Sequence, residues 1–250
     1  MNQVNAPIRG GGFEMFVAKL ELAAPLDPQD REALRIVCDH VRQVPALRDI
    51  VSEGDNPEHI HLMLQGWGAR YKIVPDGGRQ ITAFLIPGDY CDAHIAVLRQ
   101  MDHGILALTE ATVASIPHAI FDDLSLRSPK LTRAMWWATL VDEAVLRAWI
   151  VNLGRRDAYG AVAHLFCELH ARMRNIGLVE EGSLDLPLTQ EVISDALGLT
   201  PVHVNRILQR LRSEDLIQLK SGVLTILDPA ALQRAGGFDS AYLHARKRGD

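Results

Sequence analysis

Residues 189–220 carry side chains whose types and order fit hydrogen bonding to a polyanion and to the edges of flat heterocycles. Within PVHVNRILQRLR, residues 201–212, Val204, Ile207, Leu208 and Leu211 fall at i, i+3, i+4 and i+7, one apolar helical stripe. The remaining face of that helix holds Val202, His203, Asn205, Arg206, Gln209 and Arg210. From Gly198 to Ser213 there are three Arg and no acidic residue, a local positive field in a chain of net charge −5. Arg206 lies one turn in, where a guanidinium can bond guanine O6 and N7 together, a contact worth about 1–3 kcal/mol of base discrimination. Thr189, Gln190 and Thr200, with the free N–H groups of two helix starts, suit phosphate oxygens. Lys220 adds a cation in a turn that follows.

The elements that must position these groups are legible nearby. Thr189 caps a first helix whose core side is Val192, Ile193, Ala196 and Leu197. Gly198 permits a left-handed turn, and Thr200 with Pro201 opens the second helix. Leu216–Leu219 and Val223–Ile226 then form a hairpin across Lys220-Ser221-Gly222. Two helices joined by a short Gly turn and followed by a β-hairpin make a winged helix-turn-helix.

A second constellation points to different chemistry. Gly54…His59-x-His61…Gly66 imitates half of a cupin metal motif, with two imidazoles on one strand face. Gln65 occupies the place of the carboxylate ligand, and Cys91 stands where a further His is expected after Pro87-Gly88. A metal-dependent cupin-like enzyme is therefore the alternative reading, although no metal set is complete. No Ser-His-Asp order, phosphate-cradling Gly loop or paired-carboxylate arrangement emerges. Cys38, Cys91 and Cys167 are scattered and odd in number, which fits a reducing cytoplasm rather than a disulfide framework. MNQVNAPIRGGGF has no apolar signal region, and no run of 18 apolar residues predicts a membrane partner.

The remaining chain predicts an α+β protein. Residues 1–25 read as a flexible N-terminal segment. Asp27 and Pro28 open a helix, with Leu34, Val37, Cys38 and Val41 at helical spacing until Pro45. From 48 to 115, short apolar stretches are cut by VSEGDNPE, LQGWG, VPDGGRQ and IPGD, the pattern of an antiparallel β-roll. Residues 71–74 and 80–84 flank a hairpin turn at Asp76-Gly77-Gly78. A short helix over 118–126 precedes a long one over 129–154. Along the long helix Ala134, Ala138, Val141, Val145, Ala148 and Asn152 recur in steps of 4, 3, 4, 3 and 4, a seam along which two helices can pair. Gly154 ends it, and Asp157 caps a helix that runs to Asn175-Ile176-Gly177.

This order of parts resembles the Crp/Fnr family of transcription regulators from about residue 26 to 245. LTQEVISDALGLTPVHVNRILQRLRSEDLI, LQGWGARYKIVPDGGRQITAFLIPGDYCD, ALTEATVASIP and LGRRDAYGAVAHLFCEL carry the likeness most specifically. The resemblance implies a double-stranded β-helix roll of the cyclic-nucleotide-binding kind over 26–127, a dimerisation helix over 128–156 and the winged domain over 157–250. It also implies a homodimer on a palindromic double-stranded DNA operator, with RNA polymerase as a partner.

The chain departs from the cyclic-AMP-binding members. Their Gly-Glu pair falls on Asp92-Ala93, and their Arg-Ser pair falls near Met101-Asp102-His103. The Thr-Ser pair of their long helix matches Leu146-Arg147. A carboxylate where a phosphate should bind is electrostatically wrong, so a signal other than cyclic AMP is expected. Asp92, His94, His103 and Arg147 are the candidate effector groups. The iron–sulfur branch needs N-terminal cysteines that are absent here. A haem-sensing branch has a Cys and a His where Cys91 and His94 lie, at a different spacing, so haem is the alternative to an expectation of no cofactor. A regulator that binds no ligand, controlled by abundance, a partner or oxidation of Cys91, is the remaining one.

Overall fold

The computed structural model describes residues 11–245. Its first element, α1 (Gly11–Leu20), corrects the expectation of a flexible segment through residue 25. Phe13, Phe16, Val17 and Leu20 form an i, i+3, i+4, i+7 stripe, and Phe16, Val17 and Leu20 are fully buried in the roll's core. Gly12 lets this helix close on strand β3 (His59–Gln65): a Cβ there would stand 2.6 Å from the Leu64 carbonyl oxygen. The Gly-rich, polar start hides a core helix from a composition-based reading. Residues 1–10 of that expected segment lie outside the described residues.

Helix α2 (Pro28–Leu34) begins as expected, with Pro28 at its first position, and passes into a 3-10 turn over Arg35–Cys38. Val41 does not continue it. It opens β1 (Val41–Val44) and pairs with Ala114 of β7 (Ala111–Pro117), because β-branched residues at 41 and 44 fit a sheet edge better than a helix.

The roll follows the turn-punctuated pattern. Strands β2 (Asp49–Val51), β4 (Gly68–Ile73), β5 (Arg79–Leu85) and β6 (Gly104–Ala107) form a sheet ordered β2-β6-β4-β5. The second sheet is ordered β1-β7-β3, and all the pairings are antiparallel. The β4–β5 hairpin turns at Gly77, whose φ of 85° only glycine adopts without strain. Between β5 and β6 the chain makes a one-turn helix, α3 (Ile95–Leu98).

Helix α4 (His118–Arg127) leads to α5 (Pro129–Arg155), capped by Ser128. The heptad stripe on α5 faces inward, which corrects the expected dimer seam. Ala134, Ala138, Val141, Val145 and Asn152 are buried against the chain's own domains, and Ala148 is half-buried. Small side chains suit close helix approach, and here the approach is intramolecular.

Helix α6 (Ala158–Asn175) is capped by Asp157, which accepts from Gly160 N at 2.7 Å. Beyond it lie β8 (Ser183–Asp185), α7 (Gln190–Leu197), α8 (Pro201–Ser213), β9 (Ile217–Lys220), β10 (Val223–Ile226), α9 (Pro229–Gly236) and a 3-10 turn over Ser240–Leu243. The expected hairpin is β9–β10, and β8 adds a third strand in the order β8-β10-β9.

The roll and the C-terminal domain are joined by a buried charge cluster. Asp89 receives Lys19 at 2.5 Å and Arg172 at 2.8 Å. Arg172 also donates to the Phe84 carbonyl and pairs with Glu168, which accepts from Trp149 and Tyr242. Burial would raise the Asp89 carboxyl, but the two cations outweigh it and hold it below the usual range. Burial prevails at Glu168, which is raised. At the rim, Arg79 of β5 bridges Asp195 of α7 at 2.8 Å.

Candidate nucleic-acid interface and roll cavity

The helix-turn-helix is set by short-range chemistry. Thr189 Oγ1 accepts from Val192 N and Thr200 Oγ1 from His203 N, each at 3.2 Å. Gly198 sits at φ 63°, the left-handed turn between the helices. Val204, Ile207, Leu208 and Leu211 are buried beneath α8. Ser221 and Gly222, at φ 51° and 78°, close the wing so that Lys220 is exposed at its tip.

The outward face divides into engaged and free groups. Asn205 Nδ2 donates to Gln190 Oε1 at 3.1 Å, a staple between α7 and α8. Arg210 pairs with Glu214 at 2.8 Å and lies over the Tyr159 ring at 4.1 Å, and Tyr159 also hydrogen-bonds Glu214. Its charge is thereby partly neutralised, which weakens the positive field read from residues 198–213. The two Thr hydroxyls are engaged as caps, so only the remaining N–H groups and the rest of each side chain face outward. Arg206 is exposed and makes no ion pair or side-chain hydrogen bond among the described residues. Val202, His203 and Gln209 are exposed beside it.

The roll holds a cavity of about 480 Å³ between the β4–β5 sheet, the α3 region and α5. Its lining includes His94, Asp102 and His103 from the segment between β5 and β6, Arg70 and Lys72 from β4, and Asp142 and Glu143 from α5. Arg70 donates to the carbonyls of Cys91 and Tyr90 at 2.9 and 2.8 Å and to Asp142 Oδ2 at 3.1 Å. Burial lowers both His94 and His103; the neighbouring His103 adds to this at His94, and the Asp102 hydrogen bond opposes it at His103. The His103 hydrogen bond holds Asp102 below the ordinary carboxylate range.

Two of the four expected effector groups are elsewhere. Asp92 is wholly buried and turned toward β3, accepting from His61 N and from its ring Nδ1, each at 2.6 Å. Arg147 is 61 % exposed and pairs with Glu143 at 3.1 Å, outside the cavity lining. His94 and His103 do face the cavity.

The cupin set does not assemble. His61 is held by Asp92, Gln65 accepts from Thr112, and among the described residues the His, Cys and carboxylate donors close enough to share an ion are instead His94, Asp102 and His103. Burial, followed by Asp92, pushes the Cys91 thiol well above its ordinary value, and the residue is fully enclosed. That environment disfavours the thiolate needed for oxidation or haem ligation.

Sequence reasoning missed Arg70 and Asp142. Their bridge joins strand to helix across 72 positions and leaves no local signal.

Comparison with known proteins agrees with this architecture. The cyclic nucleotide-binding domain family matches residues 41–128 and the Crp-like helix-turn-helix domain family matches residues 160–235. The chain is 29 % identical over 187 residues to the nitrogen fixation regulation protein FixK of Bradyrhizobium diazoefficiens, covering 74 % of this chain and 76 % of that protein. It is 27 % identical over 213 residues to the transcriptional activatory protein AadR of Rhodopseudomonas palustris, covering 85 % and 87 %. The structure of FixK2 from Bradyrhizobium japonicum superposes with a TM-score of 0.70 at 22 % identity, over 78 % of this chain and 96 % of that one. With a β-roll, a long helix and a capped winged helix-turn-helix in one chain, the protein belongs to the Crp/Fnr family of transcription regulators.

Proposed function

We propose that two copies pair through the outer face of α5 and present two α8 helices to adjacent major grooves of an inverted-repeat operator. The observation that carries this reading is a second stripe. Trp136, Leu140, Glu143, Arg147, Ile150 and Gly154 repeat the 4, 3, 4, 3, 4 spacing two positions further on, about 200° around the helix from the buried seam. Trp136 and Ile150 are 65 % and 61 % exposed, and Leu140, Leu146 and Leu153 flank them in the open. Large exposed apolar groups on one outer helix face, here Trp136, Leu140 and Ile150 around the Glu143–Arg147 ion pair, mark an interaction surface.

Arg206, His203, Val202 and Gln209 read bases in this account, while Lys220 and the N–H groups behind Thr189 and Thr200 hold phosphates. The cavity takes a signal other than cyclic AMP in this reading, because Asp102, Asp142 and Glu143 line it while its cations are already paired, Arg70 with Asp142, Lys72 with Glu53 and Lys19 with Asp89. The protein acts as a cytoplasmic regulator rather than an enzyme, with RNA polymerase as its further partner. Selection of bound duplexes from random DNA tests the reading. It should return an inverted repeat with half-sites one helical turn apart, ~34 Å. A single unrepeated motif would contradict it.

A further inference from the structure

Three donors that no comparison assigns converge in the roll. His94 precedes α3, while Asp102 and His103 form the turn into β6. One ligand atom from each lies within 4.8 Å of the others. His103 Nδ1 is 2.6 Å from Asp102 Oδ1, and His94 Nε2 is 3.8 Å from the same oxygen. The two rings are 5.2 Å apart and tilted by 32°. The Nε2 atoms of both histidines are shielded from solvent and make no hydrogen bond among the described residues. Buried polar nitrogens without a partner are costly unless a ligand satisfies them.

We propose that His94, Asp102 and His103 form a binding site for one divalent transition-metal ion of the zinc, cobalt and nickel class. Two imidazoles and one carboxylate are the donor set such ions favour. Bonds of about 2.0–2.1 Å place donors roughly 3–4 Å apart; the 3.8 Å between His94 Nε2 and Asp102 Oδ1 meets this, and Asp102 must leave His103 Nδ1 to share an ion with the two unpartnered Nε2 atoms. The carboxylate also decides the sign of the ligand: it attracts a cation and repels a phosphate. Arg70 and Lys72 nearby do not reverse this, because Asp142 and two carbonyls hold the guanidinium, and Glu53 and the Asp102 carbonyl hold the ammonium. Three protein ligands leave a coordination position open toward the cavity, whose far wall is α5.

An ion here stands between the roll and the helix assigned to pairing. Its use as an effector therefore rests on the regulator reading, whereas its binding does not. The site also revises the expectation from sequence that no metal ligands are present, since the spacing 94, 102, 103 matches no short ligand motif.

The test is a cobalt(II) titration of the chelator-treated full chain, followed by visible absorption and by displacement with zinc. A d–d band that saturates at one ion per chain and is lost on adding zinc supports the site. Asp102 is 80 % exposed, so Asp102→Asn spares the fold. Removing even an outer partner of a metal site weakens binding by about 10–100-fold. Asp102→Asn and His103→Gln should therefore weaken it by at least that, while His40→Gln, a surface histidine elsewhere, leaves it unchanged. No saturable band, or equal affinity in the Asp102 and His103 variants, overturns the proposal. The titration contains no DNA, so its failure leaves the regulator reading standing, and failure to select an operator leaves the titration standing.

Discussion

The winged domain and the roll reach their working geometry by opposite routes. In the winged domain each determinant acts within a few residues: Thr189 on Val192, Thr200 on His203, Gly198 between two helices. In the roll the determinants are distant in sequence: Asp92 with His61, Arg70 with Asp142, Asp89 with Arg172. The first kind of site is encoded by propensity and capping. The second depends on which partners the sheet brings together. A polar residue at a family position can therefore be diverted, as Asp92 is, without any trace nearby.

The largest effect that would sharpen this contrast is predicted at the roll's distant contacts. Asp89→Ala leaves Arg172 and Lys19 buried without their common partner and should destabilise the chain by about 3–5 kcal/mol, read from urea denaturation. A loss below 1 kcal/mol would mean that the cluster is not the joint between the domains.

Arg206→Ala should leave stability intact and reduce affinity for the selected operator by about 1–3 kcal/mol, with little change on random DNA. Equal losses on both would show that Arg206 contacts phosphate rather than a base.

The pH response comes next. Burial, then Arg156, lowers His164 to about 4 from its ordinary 6.5. Its folded-state advantage is therefore complete above 6.5 and is lost as the pH falls toward 4, with a slope of at most one proton, about 1.4 kcal/mol per pH unit. Glu168, raised by burial, acts oppositely: above its ordinary pKa of 4.5, stability falls as the pH rises through its folded value. The difference between wild type and His164→Gln in denaturation midpoint, measured from pH 7 to pH 5, isolates the first effect. Parallel curves would refute it.

The smallest effect is expected at the wing. Lys220→Ala should weaken selected and random DNA alike by a few-fold and reduce the salt slope by about 1. A sequence-dependent loss would place the wing in a groove.

The sequence made the fold class, the turn at Asp76-Gly77-Gly78, the long helix and the caps Asp157, Thr189 and Thr200 legible, because each is a local preference, while the caps Asp228 and Asp239 of the last two helical segments went unread. Helix α1 was legible too, in Phe13, Phe16, Val17 and Leu20, but a Gly-rich start obscured it. The α5 seam shows the limit most plainly. Two stripes of identical spacing run along one helix, and periodicity alone cannot say which faces the protein's own core. Side-chain size decides: alanines and valines admit the close packing found inside, while Trp136 and Ile150 remain outside. Within the candidate interface the sequence separated the buried stripe of α8 from its exposed face. It could not show that Asn205 is tied to Gln190 or that Arg210 is drawn to Glu214 and Tyr159, contacts that leave Arg206 as the unengaged guanidinium on α8.

Paired presentation of α8 is the claim on which the account rests, and the mass of the complex on a selected operator tests it most directly. Sedimentation should find two chains per duplex for the wild type, with that species lost and operator affinity sharply reduced when Ile150→Glu puts a charge in the outer stripe. One wild-type chain per duplex, or two chains per duplex undiminished in the Ile150 variant, would contradict pairing through that face.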